Sequence, residues 1–169
     1  MAISILTSKK SSPPVDAKLV FRSPQMFLAF GLGSGLSPVI PGTMGTLAAV
    51  PFYIVMAQLP IYAYAVILLL AYFLGNYLCD FASKKLGVHD HGGIVWDEFV
   101  GFWLTMFLVP FQWQYLVVGF VLFRFFDMLK PWPISWVDKH AQGGFGIMID
   151  DVLAGVAAWL CLQLWIALV

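Results

Sequence analysis

The sequence predicts an all-α membrane protein, a polytopic bundle of about five to six helices with its polar motifs gathered on the cytoplasmic side. Three observations carry this. Of 169 residues, 61% are hydrophobic and 11% charged, where soluble domains carry roughly 25% charged residues. Three runs lack any Asp, Glu, Lys or Arg: Ser23–Cys79, Phe99–Phe123 and Val152–Val169, of 57, 25 and 18 residues. A spanning helix needs about 20 apolar residues. The runs are continuous rather than alternating, which favours helices over a barrel, the only other structure a bilayer admits. Nine acids balance nine bases. That excludes nucleic-acid binding through bulk basic charge and, with so apolar a chain, intrinsic disorder.

Residues 1–24 read as a polar cytoplasmic tail and 25–169 as one membrane domain. Lys9, Lys10, Lys18 and Arg22 precede the first apolar run, which places this end in the cytoplasm by the positive-inside rule. No cleavable signal pattern is expected there. Gly31–Gly45, GLGSGLSPVIPGTMG, is too rich in glycine and proline for one regular helix. A helical run from about Met44 breaks at Gln58-Leu59-Pro60. A second covers Ile61–Cys79 and ends at Asp80, Lys84 and Lys85, so the pair reads as a hairpin returning to the cytoplasm. Phe99–Phe123 is either one straight helix of about 37 Å or a hairpin turning at Pro110-Phe111-Gln112-Trp113-Gln114. A single site built from the polar segments on both sides requires the hairpin. Val152–Val169 crosses once. Cys79 and Cys161 read as small buried hydrophobes, not as a disulfide framework.

Eight of the nine acids lie between Asp80 and Asp151, and ionisable groups beside membrane segments are functional by default. Three clusters stand out. In His89-Asp90-His91-Gly92-Gly93-Ile94-Val95-Trp96-Asp97-Glu98 the polar part reads as a loop, and Asp97 and Glu98 begin a helix, where the dipole favours them as caps. The histidines at i, i+2 lack the rest of a zinc motif. Arg124, Asp127 and Lys130 are spaced along one helical face, either as a surface ion-pair ladder or as a grip on an anion. Asp150 and Asp151 stand at the mouth of the last apolar helix. Asp97 and Asp151 are each followed four residues later by glycine, Gly101 and Gly155. A missing side chain there permits close helix approach or room for an ion. An oxygen-rich, sulfur-free set suits magnesium, manganese or calcium. The glycine-rich stretch offers hydroxyls at Ser34, Ser37, Thr43 and Thr46, and free amides after Pro41-Gly42-Thr43, a natural anion site. It is neither a Walker A loop nor a dinucleotide fingerprint.

GSGLSPVIPGTMGTLA, GVHDHGGIVWDEFVGFW, FRFFDMLKPWPISWVDK and GGFGIMIDDVLAG resemble the signatures of the phosphatidylglycerophosphatase A family, in order and spacing, from about Gly33 to Gly155. The resemblance implies a multi-pass enzyme of the bacterial inner membrane with its site facing the cytoplasm. It would convert phosphatidylglycerophosphate in the bilayer to phosphatidylglycerol and inorganic phosphate, with Mg2+, ahead of cardiolipin synthesis. It also implies a helical bundle around a central helix. The chain lacks the DxDxT and KxxxxxxRP motifs of other lipid phosphatases. With this function, Asp97, Glu98, Asp150 and Asp151 are expected to supply magnesium ligands. Arg124 and Lys130 would neutralise the phosphate, and Asp127 would orient them or complete the metal shell. His89 or His91 would serve as general acid or base. A metal-activated water is the expected nucleophile, with an aspartyl phosphoenzyme the alternative. The rival reading is a small ion-coupled transporter using the acidic clusters as ion sites.

Overall fold

The computed structural model describes residues 14–168, and its regular elements are all helical among those residues. The helices are α1 (Ala17–Arg22), α2 (Pro24–Ala29), a 3₁₀ turn (Gly31–Leu36), α3 (Pro41–Met56), α4 (Ile61–Leu86), α5 (Trp96–Thr105), α6 (Trp113–Leu129), α7 (Ile134–His140) and α8 (Gly143–Leu168). Lys9 and Lys10 lie outside the described residues. The rest of the expected tail includes α1, whose Val20 is fully buried.

Among the described residues two helices, α4 and α8, are long and apolar enough to cross a membrane. Each has 26 residues, about 39 Å at 1.5 Å per residue. α4 stops where Gly87 takes a left-handed conformation, φ 67°, which glycine adopts at little cost. Lys84 and Lys85 occupy its last turn, where positive charge complements the dipole. α8 begins nine residues before Val152, so Asp150 and Asp151 sit two turns inside it and not at its mouth. Dipole capping, which fades within one turn, does not explain them.

Phe99–Phe123 is a hairpin: α5 ends at Thr105 and α6 starts at Trp113. The turn begins earlier than expected, at Met106, and Trp113 and Gln114 belong to α6. α5 is the centre of the molecule, with nine of its ten residues buried and α3, α4, α6 and α8 packed around it. α3 and α4, joined by Ala57–Pro60, both rest on α5 rather than chiefly on each other. At about 15 Å α5 is too short to cross a bilayer, and its open end must find hydrogen bonds within the protein. Side chains supply them. Tyr64 Oη donates to the Trp103 carbonyl (2.8 Å) and Trp159 Nε1 to the Phe107 carbonyl (2.7 Å). Trp103 Nε1 in turn donates to the Ala49 carbonyl at 3.0 Å, tying α5 to α3.

The glycine correspondence is a backbone crossing. A Cβ on Gly155 would stand 2.6 Å from the Gly101 carbonyl oxygen, and one on Gly101 2.8 Å from the Asp151 carbonyl oxygen. Thr105 Oγ1, on the same face, lies 3.3 Å from the Gly155 carbonyl oxygen. Of the two cysteines, Cys79 is buried against Met148, whereas Cys161 is exposed on α8. The expectation for Cys161 is corrected, because its face of α8 is turned away from the bundle. Gly155→Val should force α5 and α8 apart and lower stability by about 2 kcal/mol, read as a lower melting temperature in detergent, while Cys161→Val should leave it unchanged.

Candidate active site

Glu98 is placed by the first turn of α5 and is fully buried. A carboxylate removed from water survives only with partners. Its Oε2 is gripped by Arg124 Nη1 of α6 and lies 3.1 Å from Thr46 Oγ1 of α3. The same Arg124 Nη1 stands 2.8 Å from Asp127 Oδ2, one turn further along α6. Three elements, α3, α5 and α6, therefore meet at the Glu98 carboxylate. Gly42, in the first turn of α3, makes the meeting possible. A Cβ there would collide with Glu98 Oε1 and stand 3.1 and 3.2 Å from the Arg124 terminal nitrogens. The start of α3, with its unpaired amides and positive dipole end, thus abuts the ion pair.

Asp151 completes the group from α8. Glu98, Asp127 and Asp151 are all buried, and one carboxylate oxygen from each lies within 4.8 Å of the others. Asp151 Oδ2 is buried without a hydrogen-bond partner. Three carboxylates against one guanidinium leave an excess of negative charge in a buried place. An orphaned carboxylate oxygen in a hard, all-oxygen donor set fits a divalent cation such as magnesium.

The remaining expected residues divide. Asp97 is buried, and its Oδ1 accepts from the Glu98 backbone N–H at 3.0 Å, a local helix-start contact. Asp150 points its Oδ2 at Lys130 Nζ, and its Oδ1 is buried without a partner. Lys130 does not continue the α6 ladder. It is the cap residue of that helix, left-handed at φ 41°. Pro131 disfavours a helical conformation in the residue before it, and the side chain turns to Asp150 and to Asp138 Oδ1 of α7 (2.6 Å). Burial pulls the Lys130 ammonium down, but the Asp150 charge and the hydrogen bonds to Asp138 and Asp150 outweigh it, so its pKa lies above the ordinary lysine value. His89 is exposed, and its Nε2 accepts from the Gly143 backbone N–H at 3.0 Å, at the start of α8. His91 is buried beside Phe30, its Nδ1 3.0 Å from the Gly93 nitrogen. Neither histidine belongs to the carboxylate group.

Of the four hydroxyls expected to hold phosphate, Thr46 reaches the site. Ser34 donates to the Gly31 carbonyl at 2.8 Å. Ser37 lies beyond the 3₁₀ turn and Thr43 in the first turn of α3, both partly buried. Two further participants have no side-chain role in the sequence reading. Asp138 lies within the FRFFDMLKPWPISWVDK motif, eight residues after Lys130 and across the Pro-Trp-Pro turn, with nothing in its spacing to pair it with that lysine. Gly42 resembles any helix-breaking glycine until Glu98 and Arg124 are seen against it.

Arg124→Ala should strand Glu98 and Asp127 and cost about 3 kcal/mol, on the scale for breaking a buried pair. Adding Glu98→Gln should recover part of that loss, as measured by chemical unfolding in detergent.

The sequence profile of the family described as Phosphatidylglycerophosphatase A matches residues 27–166. The chain is 52% identical over 141 residues to phosphatidylglycerophosphatase A of Escherichia coli (strain K12), covering 83% of this chain and 82% of that protein. It is 44% identical over 153 residues to phosphatidylglycerophosphatase A of Haemophilus influenzae, covering 88% and 94%. No solved structure matches it.

Proposed function

The chain belongs to the phosphatidylglycerophosphatase A family, and on that premise we propose that it hydrolyses phosphatidylglycerophosphate to phosphatidylglycerol and inorganic phosphate. It is a phosphatase, a hydrolase of phosphoric monoesters. The observation that carries the reading is the buried trio Glu98, Asp127 and Asp151 beside Arg124 at the start of α3. It joins a cation-holding carboxylate set to an anion-holding helix end.

In this reading Glu98, Asp127 and Asp151 would hold Mg2+, with Asp97 and Asp150 as the further carboxylates beside that set. The ion supplies charge neutralisation and an acidified water at the phosphate. Arg124 donates to the phosphate oxygens while its other contacts, Glu98 and Asp127, fix its plane. Lys130 Nζ adds a second positive charge from the α7 side. Both cations oppose the charge that builds on the phosphate oxygens as the ester bond breaks. A water oxygen forms the new bond to phosphorus, and the glycerol oxygen leaves and takes a proton. His89 would carry that proton on Nε2, giving up its contact with the Gly143 N–H; His91 is the second candidate. The alternative nucleophile is an aspartate oxygen, for which Asp151 has the unpartnered atom.

A diacyl substrate keeps its tails in lipid, so the site belongs at a membrane surface. We place the protein in the bacterial inner membrane as a multi-pass bundle, its site facing the cytoplasm, in the pathway to phosphatidylglycerol and cardiolipin. The apolar lengths of α4 and α8 and the lysines closing α4 support this.

Purified protein in detergent micelles with phosphatidylglycerophosphate should release inorganic phosphate with magnesium and not with chelator. Asp151→Ala should fall by roughly 100-fold or more, the scale for losing a group that stabilises transition-state charge. No release by folded wild type, together with counter-ion flux in liposomes, would favour the transporter instead.

A further inference from the structure

We propose that Asp138, on α7, is a positioning residue that holds the Lys130 ammonium toward the substrate side of the site; this rests on the phosphatase reading above. Lys130 occupies an unusual place. Its backbone is left-handed without being glycine, a conformation that persists only when the surroundings impose it. Its ammonium is pulled from two sides. Asp150, buried in α8, draws it inward to the carboxylate floor, and the charge of Asp151 adds to that pull. Asp138, whose side chain is 34% exposed against 7% for Asp150, draws it outward at 2.6 Å.

The geometry gives these two acids different tasks. An ammonium has three donors. Two are committed, one to each acid, and the third remains for a phosphate oxygen. Asp150 alone would let the flexible four-carbon stem settle onto the acid-rich floor, where Asp150 Oδ1 and Asp151 Oδ2 are both unpartnered. There the ammonium would neutralise the floor and be lost to the substrate. Asp138 prevents that collapse. α7 serves as the bracket: it is a seven-residue helix between α6 and α8, fixed by the buried Ile134 and packed on α8. Asp138 touches none of the reacting atoms and acts through Lys130.

The test is a double-mutant cycle on phosphate release from phosphatidylglycerophosphate in micelles, using wild type, Asp138→Ala, Lys130→Ala and the double variant. Asp138→Ala should raise KM, and the Ki of inorganic phosphate as competitive inhibitor, by about tenfold, the scale of one hydrogen bond to a charged group. Its kcat should change less. In the Lys130→Ala background the same substitution should have no further effect. Asp138→Glu should restore most of the phosphate Ki, and the melting temperatures of Asp138→Ala and Asp138→Glu should stay close to wild type because Asp138 lies at the rim. An unchanged KM and Ki in Asp138→Ala, or an equal loss with Lys130 absent, overturns the proposal while leaving the phosphatase reading intact. Absence of phosphate release by wild type overturns both.

Discussion

An excess of buried carboxylate is the constraint on which the structure depends. Asp97, Glu98, Asp127, Asp150 and Asp151 are all buried, against the cations Arg124 and Lys130. Each ion removed from water carries a penalty of several kcal/mol, so a chain selected for stability alone would fill these positions with apolar residues. The fold instead spends its closest approaches on keeping the carboxylates together. Gly42 admits Glu98 and Arg124 to the start of α3, and Gly101 and Gly155 let α5 and α8 touch along their backbones. A side chain at any of the three would widen the gaps that bring Glu98, Asp127 and Asp151 within reach of one ion.

The same constraint explains α5. Placing Glu98 at the centre of a bundle requires a helix enclosed on every side, and a full-length span would leave one face to lipid. The chain uses a short buried helix and pairs the exposed backbone at its end with the donors of Tyr64 and Trp159. Those residues lie on the long helices α4 and α8. The long helices thus give the bundle its apolar length and also close the hydrogen-bond account of the short one.

Much of this was legible in the sequence. The apolar runs gave helices, a single site built from the polar motifs on both sides of Phe99–Phe123 required the hairpin over the straight span, and glycine four residues after Asp97 and Asp151 offered a close helix approach or room for an ion, of which the structure shows the approach. These are signals of period and spacing, which local chain geometry transmits directly. The partners of each charge were less legible. Asp127 and Lys130 are three residues apart, but Pro131 turns the second out of the helix, so one joins Glu98 and Asp151 and the other joins Asp138 and Asp150. Asp150 and Asp151 are neighbours whose side chains diverge by about 100°, which is why one faces Lys130 and the other the carboxylate trio. Where α8 begins was hidden as well: Asp150 and Asp151 read as its mouth, although the helix already starts at Gly143 and Gly144 is pressed against the Asn76 backbone.

The two cations differ in a way that their common charge conceals. Arg124 is held by carboxylates on two helices. Its planar fork loses little freedom when it binds a further oxyanion, so it suits a fixed point against which charge develops. Lys130 hangs from a cap residue on a flexible stem, between an acid of the interior and an acid of the rim. Its ammonium can exchange a carboxylate contact for a phosphate contact without moving a helix. A site that must release its phosphate product as well as bind its substrate benefits from that inequality. One cation defines the geometry of the bound group, and the other can let go.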